Sequence, residues 1–248
     1  MGALYEKWKL GFSLGSQFRK KVFANKSLWG WSAFVGIFVL LFRELSGPTT
    51  SCVTNPLRLL NIWNLLNILT FSMFNYFFSL VLFFYAYELW KNESLTSGFN
   101  PPSVWRSIKL SFSRIKNAIF WIFVFLPLPQ IMSGFAVPVI AHPRETVRKS
   151  LLAFWFLIKR FWMVAFGFIA YVLALGLLFM PIFIVVLHIA YTNRPVDIVP
   201  AYSIVSADSI VFPFWFAIFK NSFILIFGSL FMAMGSFFYV YIYEESQN

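Results

Sequence analysis

Cysteine and histidine are almost absent from this chain, which limits the chemistry it can perform. Its 248 residues include one cysteine, Cys52, and two histidines. A single cysteine excludes an internal disulfide and a thiolate metal cluster, and His142 and His188 lie in different predicted loops. The sequence also lacks paired carboxylates for acid and base catalysis and a serine in a nucleophile-elbow pattern. We therefore predict no metal site, no cofactor and no enzymatic activity.

Charge is scarce as well. Charged residues make up 12% of the chain and hydrophobic residues 60%, whereas about 25% of a soluble domain is charged. No charged residue occurs between Arg58 and Glu88. About 20 apolar residues span the ~30 Å of bilayer hydrocarbon, where a helix satisfies all of its backbone hydrogen bonds internally. The sequence predicts an all-α, polytopic integral membrane helical bundle that forms a single domain over residues 1–248.

The basic residues are concentrated beside the hydrophobic segments, and the formal net charge is +11. Segments rich in Lys and Arg stay on the cytoplasmic side of a membrane and attract anionic lipid head groups, so lipid is expected as the partner and nucleic acid is not. Residues 1–27, 91–117 and 142–160 are rich in these residues, whereas 43–58 and 188–208 are poor. We predict about six membrane helices in the cell inner membrane, with both termini cytoplasmic. The predicted anionic-lipid contacts are Arg19, Lys20, Lys21, Arg106 and Lys109.

Two segments combine basic and apolar residues at helical spacing, which is typical of helices that lie at a membrane surface. They are a basic amphipathic N-terminal arm over 1–27 and an amphipathic interfacial helix over 102–117. The predicted spans and half-spans are 24–42, 59–90, 118–126, 130–141, 161–187 and 209–243. The predicted loops are 43–58, 142–160 and 188–208.

Prolines and one lysine interrupt these segments. Pro127 and Pro129 are expected to break the chain, because proline removes a backbone donor and crowds the preceding turn. Residues 130–141 are then too few for an upright span and form a half-length or re-entrant segment. Pro181 predicts a bend. The last hydrophobic run is too long for one crossing, and we predict that it divides at Lys220.

A polar stripe and an isolated lysine are the candidate polar sites within the membrane. The stripe consists of Asn61, Asn64, Ser72, Asn75 and Ser79. It indicates either a solute path lined with amides or hydrogen bonds between helices, which contribute about 0.6 kcal/mol each in membranes. Lys220 would cost about 2.5–3.5 kcal/mol at mid-bilayer. It is therefore either buried with a partner or placed at the outer interface, where its side chain reaches water.

Small residues recur at spacings of four and seven in the last hydrophobic run. They are Gly228, Ser229, Ala233, Gly235 and Ser236. The preceding run has a similar set, namely Gly167, Ala170, Ala174 and Gly176. Small residues let helix backbones approach closely, so these faces serve packing within the chain or docking to another membrane-protein subunit.

Three stretches of the chain carry a resemblance to known proteins. They are the basic arm from Lys7 to Leu28, Tyr85 to Tyr87 at the end of the second span, and Ala136-Val-Pro-Val-Ile-Ala141, which leads into Glu145 and Arg148-Lys-Ser150. Their order resembles a family of uncharacterised bacterial inner-membrane proteins with six helices. That family is similar in pattern to the membrane domain of some glycerophosphodiester phosphodiesterases.

The resemblance covers most of the chain, although the Pro127 and Pro129 pair and His142-Pro143 depart from the family's pattern. It implies a short re-entrant or half helix before Pro138 and a cytoplasmic amphipathic helix after it. It implies no established activity and no catalytic residues.

Two classes of function fit these observations. The first is a non-enzymatic structural or accessory subunit of a larger inner-membrane assembly, because the small-residue faces are suited to helix contacts and buried acids are lacking. The alternative is a transporter or lipid-handling protein. Its polar cavity would lie at mid-membrane beside the proline-broken helix, the asparagine stripe and Lys220, since broken helices are common at transport sites.

Overall fold

The computed structural model describes residues 2–45, 62–94, 103–125, 135–141, 147–193 and 213–247, and nearly all of these residues are helical. The seven helices are α1 (Gly2–Ala24), α2 (Lys26–Leu45), α3 (Ile62–Ser94), α4 (Val104–Phe125), α5 (Ala136–Ala141), α6 (Val147–Thr192) and α7 (Phe214–Gln247). The all-α prediction is confirmed for these residues. Asn61, Pro127, Pro129, His142 and Glu145 lie outside them.

Three predicted boundaries are wrong. The basic stretch from Arg148 to Arg160 belongs to α6 and not to a loop over 142–160, and α6 continues through Pro181 to Thr192. α7 runs from Phe214 to Gln247 without a break at Lys220. The surface segment over 102–117 and the half-span after it form one helix, α4. Lys and Arg are good helix formers, so a charge that ends a hydrophobic run does not end the helix.

α6 and α7 form an antiparallel pair held by aromatic rings. Phe168 stacks on Phe238 with the ring centroids 4.6 Å apart. Phe179 lies 4.5 Å from Phe227. Nearer the start of α7, the ring contacts are those of Phe183 with Phe219 and Phe223. Each such pair stabilises the packing by about 0.5–1.5 kcal/mol beyond the area it buries.

α7 is the central helix of the bundle, since it also contacts α1, α2, α3 and α5. α3 runs parallel to it, with Phe83 and Tyr87 near the end of α3 both touching Tyr243 near the end of α7. α2 packs on the middle of α7, where the Trp29 indole Nε1 donates a hydrogen bond to the Ser229 hydroxyl at 2.9 Å. α2 and α3 also contact each other.

α1 packs against α6 at a crossing of two glycines. A Cβ on Gly11 would overlap the carbonyl oxygen of Val164, and a Cβ on Gly167 would overlap the carbonyl oxygen of Trp8. The two backbones approach this closely because neither glycine has a side chain. Phe18, which lies two turns after Gly11 on α1, is fully buried. The segment predicted as a surface arm over 1–27 is therefore a helix with one tightly packed side, and its place at a membrane surface stays a prediction.

α3 and α4 are antiparallel neighbours. Glu88 on α3 accepts a hydrogen bond from the Ser103 backbone N–H at 3.1 Å and pairs with the Arg106 side chain at 3.5 Å. Further along, the Phe77 and Phe112 rings lie 4.7 Å apart. The carboxylate of Glu88 thus satisfies a free donor at the start of α4, where the helix dipole favours a negative charge.

α4 buries two serines and exposes two large aromatic rings. Ser107 and Ser111 are both fully buried, and their hydroxyls donate to the carbonyl oxygens four residues earlier. Trp105 and Phe112 are 65% and 58% exposed. The two serines let α4 approach its neighbours closely. Of the apolar face predicted for 102–117, Trp105 and Phe112 are exposed, whereas Val104 packs against the core.

α6 has an exposed apolar surface. In the most apolar stretch of 18 residues in α6, only 6% of the residues are buried, against 44% in that of α7. These are the two described helices that are long and apolar enough to cross a membrane. Leu177 and Leu178 are 65% and 71% exposed. The core helix of a soluble protein buries such a side, whereas α6 leaves it exposed. The expected total of about six membrane helices stays a prediction.

The glycine crossing predicts that Gly167→Ala lowers the stability of the protein, by about 1–3 kcal/mol, because the added methyl group overpacks the α1 contact. Gly176→Ala on the same helix is the matched control, since a Cβ there meets no atom within 4 Å. It should leave the stability unchanged or raise it by up to about 1 kcal/mol through helix propensity. Thermal unfolding in mild detergent measures both changes, and equal midpoints for the two variants would contradict the crossing.

Candidate functional site

A cavity of about 300 Å³ lies among α2, α3, α5 and α7. Its polar lining consists of Asn75, Tyr76, Ser79, Ser236 and Tyr239. Its apolar lining consists of Val35, Phe78, Leu82, Val137, Phe231, Met232 and Gly235. Ligand pockets begin at about this volume and combine apolar walls with a few placed polar groups. The cavity is therefore the candidate functional site.

Helical spacing on α3 and α7 directs the lining into this space. Asn75, Ser79 and Leu82 on α3 follow the spacing of four and three that places residues on one helix face. Met232, Gly235, Ser236 and Tyr239 provide the α7 wall. From Phe231 to Tyr239 the cavity follows α7 for about 12 Å at a rise of 1.5 Å per residue.

The polar lining keeps hydrogen-bonding capacity. The Ser236 hydroxyl donates to the Met232 carbonyl oxygen at 2.9 Å and retains its acceptor sites. Within the part of the chain that the structure describes, the Asn75 amide and the Ser79 hydroxyl form no hydrogen bond. Asn75 is also exposed although it lines the cavity, so its amide is accessible from outside the bundle.

Gly235 lies in the cavity wall beside open space. A Cβ at this position would meet no atom within 4 Å, and the same is true of Gly228 two turns earlier on α7. Neither glycine is therefore required for a close helix contact among the described residues. Gly235 instead forms part of the cavity wall, where a larger side chain would occupy the space available to a ligand.

The structure separates the other members of the predicted small-residue face. Ser229, Ala233 and Ser236 are buried, and Ser229 accepts the hydrogen bond of Trp29. Ser229 and Ala233 therefore pack within the chain, one of the two alternatives for this face, whereas Ser236 also lines the cavity. Gly228 and Gly235 do not share that role, because open space surrounds both positions.

The polar stripe and Lys220 are not brought together. Of the stripe, Asn75 and Ser79 line the cavity, while Asn61 lies outside the described residues and Asn64 belongs to α3 without a described side chain. Lys220 is exposed and does not line the cavity. It lies about 22 Å before Gly235 along α7 at the rise of an α-helix, so the described cavity does not include it.

Basic residues from the three rich segments meet at one end of the bundle. The Lys21 ammonium lies 4.3 Å from the centroid of the Trp90 ring, which joins α1 to the end of α3. A hydrogen bond with Tyr87, and more weakly the charge of Glu244, raise the pKa of Lys91, so this lysine stays charged. Arg160 on α6 lies over the Phe161 ring at 5.2 Å, and Phe161 contacts Tyr241.

The predicted lipid-contact residues lie at or near this basic end. Arg19 lies over the Tyr171 ring at 5.9 Å, and Lys109 over the Trp105 ring at 5.6 Å. Lys20 and Arg106 are exposed. Cations beside aromatic rings at exposed positions gain about 0.5–1 kcal/mol and remain available to solvent and to head groups.

Sequence reasoning missed the α2 and α5 walls of the cavity. Val35 and Val137 come from separate helices far from α3 in sequence, and neither carries a polar signal. Tyr239 on α7 also lines the cavity. The spacing of Gly235 and Tyr239, one turn apart on α7, was the signal that could have placed both on one face.

Among the described residues, no group of three His, Cys, Asp or Glu side chains is placed to hold a metal ion. Comparison of the chain with protein-family models, with curated proteins and with solved structures gave no match.

Proposed function

We propose that this protein is a non-enzymatic, multi-pass integral membrane protein of the cell inner membrane. The observation that carries the proposal is the outward apolar surface of α6, of which only 6% is buried in its most apolar window. Lipid chains cover such a surface without the cost that water imposes. The outward Trp105 and Phe112 of α4, with serines on the inner side, support the same environment.

The lengths and charges of α7 support an orientation in the membrane. Lys220 and Tyr241 are separated by about 32 Å along the helix, close to the thickness of the hydrocarbon layer. Tyr241 lies at the basic end of the bundle, where Lys and Arg favour the cytoplasmic side. We therefore place Lys220 at the outer interface, with its ammonium in water, and the C-terminus in the cytoplasm.

Cysteine accessibility tests this orientation. In a Cys52→Ser background, we expect a membrane-impermeant maleimide added to intact spheroplasts to label a Lys220→Cys variant and not a Gln247→Cys variant. Detergent should expose both positions equally, which controls for folding around each site. Labelling of the Gln247→Cys variant in intact spheroplasts would contradict the orientation, and release of the protein by alkaline carbonate would contradict the membrane assignment itself.

Within the membrane, we propose lipid handling as the function, and the cavity is the observation that supports it. A space of about 300 Å³ with apolar walls and accessible amide and hydroxyl groups fits part of an amphipathic molecule. Asn75 is open to the surroundings, so a ligand can arrive from the lipid beside α3. The separation of Lys220 from the cavity argues against a charged solute path through it.

Filling the cavity tests lipid binding. We expect Gly235→Leu to abolish ultraviolet cross-linking of diazirine-labelled lipid to α3 and α7 in reconstituted vesicles, because the side chain occupies the open space beside Gly235. Leucine is a better helix former than glycine by about 1 kcal/mol, so loss of the fold is not the expected reason.

Gly228→Leu is the matched control for this experiment. It makes the same change on the same helix, also into open space, at a position that does not line the cavity. Its cross-linking should equal that of the unchanged protein. Retained cross-linking of α3 and α7 in Gly235→Leu would remove the cavity as the lipid site.

The second candidate function is a structural or accessory subunit of a larger membrane assembly. It is favoured by the breadth of exposed apolar surface on α6, where Leu173, Leu177 and Leu178 are each more than 60% exposed. We expect such a subunit to co-purify from native membranes, in mild detergent, with another protein in a fixed ratio that Leu177→Trp disrupts. Recovery of a monodisperse single protomer under those conditions would contradict this role.

A further inference from the structure

We infer that the cavity receives the uncharged, hydrogen-bonding head of a neutral lipid such as a diacylglycerol, whose hydroxyl and ester carbonyl groups pair with the Asn75 amide and the Ser79 hydroxyl. This inference rests on the proposed lipid binding and specifies its ligand. It follows from the charge, the hydrogen-bonding state and the size of the cavity.

The lining selects against charge. Among the described residues that line the cavity there is no Asp, Glu, Lys, Arg or His. An ionised phosphate buried there would lose its hydration without gaining an ionic partner, which is strongly unfavourable. The basic groups lie instead at the end of the bundle, where anionic head groups are better accommodated.

The open hydrogen-bonding groups select for a polar head. Asn75 offers two N–H donors and one acceptor, and Ser79 offers one donor and two acceptor lone pairs. Neither forms a hydrogen bond within the described residues. In hydrocarbon such groups are unstable without a partner. An alcohol that donates to the amide oxygen and a carbonyl that accepts from one amide N–H would pair with both ends of the Asn75 amide.

The volume admits a head group but not whole acyl chains. A cavity of about 300 Å³ holds roughly ten groups of water size, at about 30 Å³ each, which corresponds to a glycerol unit with its ester groups. The chains must therefore lie outside. Phe78 in the cavity wall touches Phe38 and Phe74, both 45% exposed, and this row of rings offers an apolar path for the chains along α2 and α3.

The test compares two lipids with identical chains. The full-length protein is reconstituted in phosphatidylcholine vesicles that contain a trace of diacylglycerol or of phosphatidic acid, each with a diazirine on one chain, and labelled peptides are identified by mass spectrometry. We expect diacylglycerol to label α2 and α3 around Phe38 and Phe74. Asn75→Leu should lower that labelling about 25-fold, because two hydrogen bonds are lost and loss of each is expected to change binding about fivefold.

Asn221→Leu is the matched control, because it makes the same change on α7 outside the cavity and should leave labelling unaltered. Equal or stronger labelling of the same peptides by phosphatidic acid would overturn the neutral-lipid assignment while leaving lipid binding in place. Labelling unaffected by Asn75→Leu would overturn the role of the amide. Absence of labelling by both lipids would overturn the proposed lipid binding itself.

Discussion

Packing against α7 is the constraint on which the rest of the described structure depends. α1, α2, α3, α5 and α6 all contact this helix, and its residues change in size along its length to suit each neighbour. Phe237 and Phe238 meet the rings of Phe18 and Phe168, while Ser229 receives the indole of Trp29. In the proposed membrane setting, where lipid chains are as apolar as the side chains, such fitted contacts and not water exclusion would hold the helices together.

The cavity is a consequence of the same packing. Along α7 the small residues alternate between positions filled by a neighbouring helix, such as Ala233, and positions left open, such as Gly235. α3 runs parallel to α7 and turns Asn75 and Ser79 toward the open positions. A close-packed interior tolerates few voids, so a space of about 300 Å³ beside accessible polar groups is a feature that a ligand would explain.

The two ends of the bundle differ in charge, and this difference distinguishes one end of the molecule from the other. Lys21, Lys91 and Arg160 lie beside aromatic rings at the end formed by Tyr241 and Tyr243. At the other end α7 carries Lys220 alone among its early residues. The basic end suits anionic head groups, whereas the cavity suits an uncharged one, so the two regions are proposed to meet different parts of the lipid mixture.

Part of the architecture could be predicted from the sequence, because it depends on local composition. Long uncharged runs determined that the described segments are helical, and clusters of Lys and Arg identified the three basic segments. Helix ends were harder to predict. Arg160 and Lys220 bounded predicted hydrophobic runs but do not end helices, since charge affects burial and not the backbone hydrogen bonds of a helix.

Contacts between distant segments were decided only by the tertiary structure. Gly11 and Gly167 are 156 positions apart in the chain, and nothing near either glycine indicates that their backbones touch. The cavity likewise needs Val35, Asn75, Val137 and Gly235 from four helices. The composition of a segment determines whether water or an apolar environment is favourable for it. Close packing between two helices depends instead on the shapes of both surfaces, which are defined only in the packed structure.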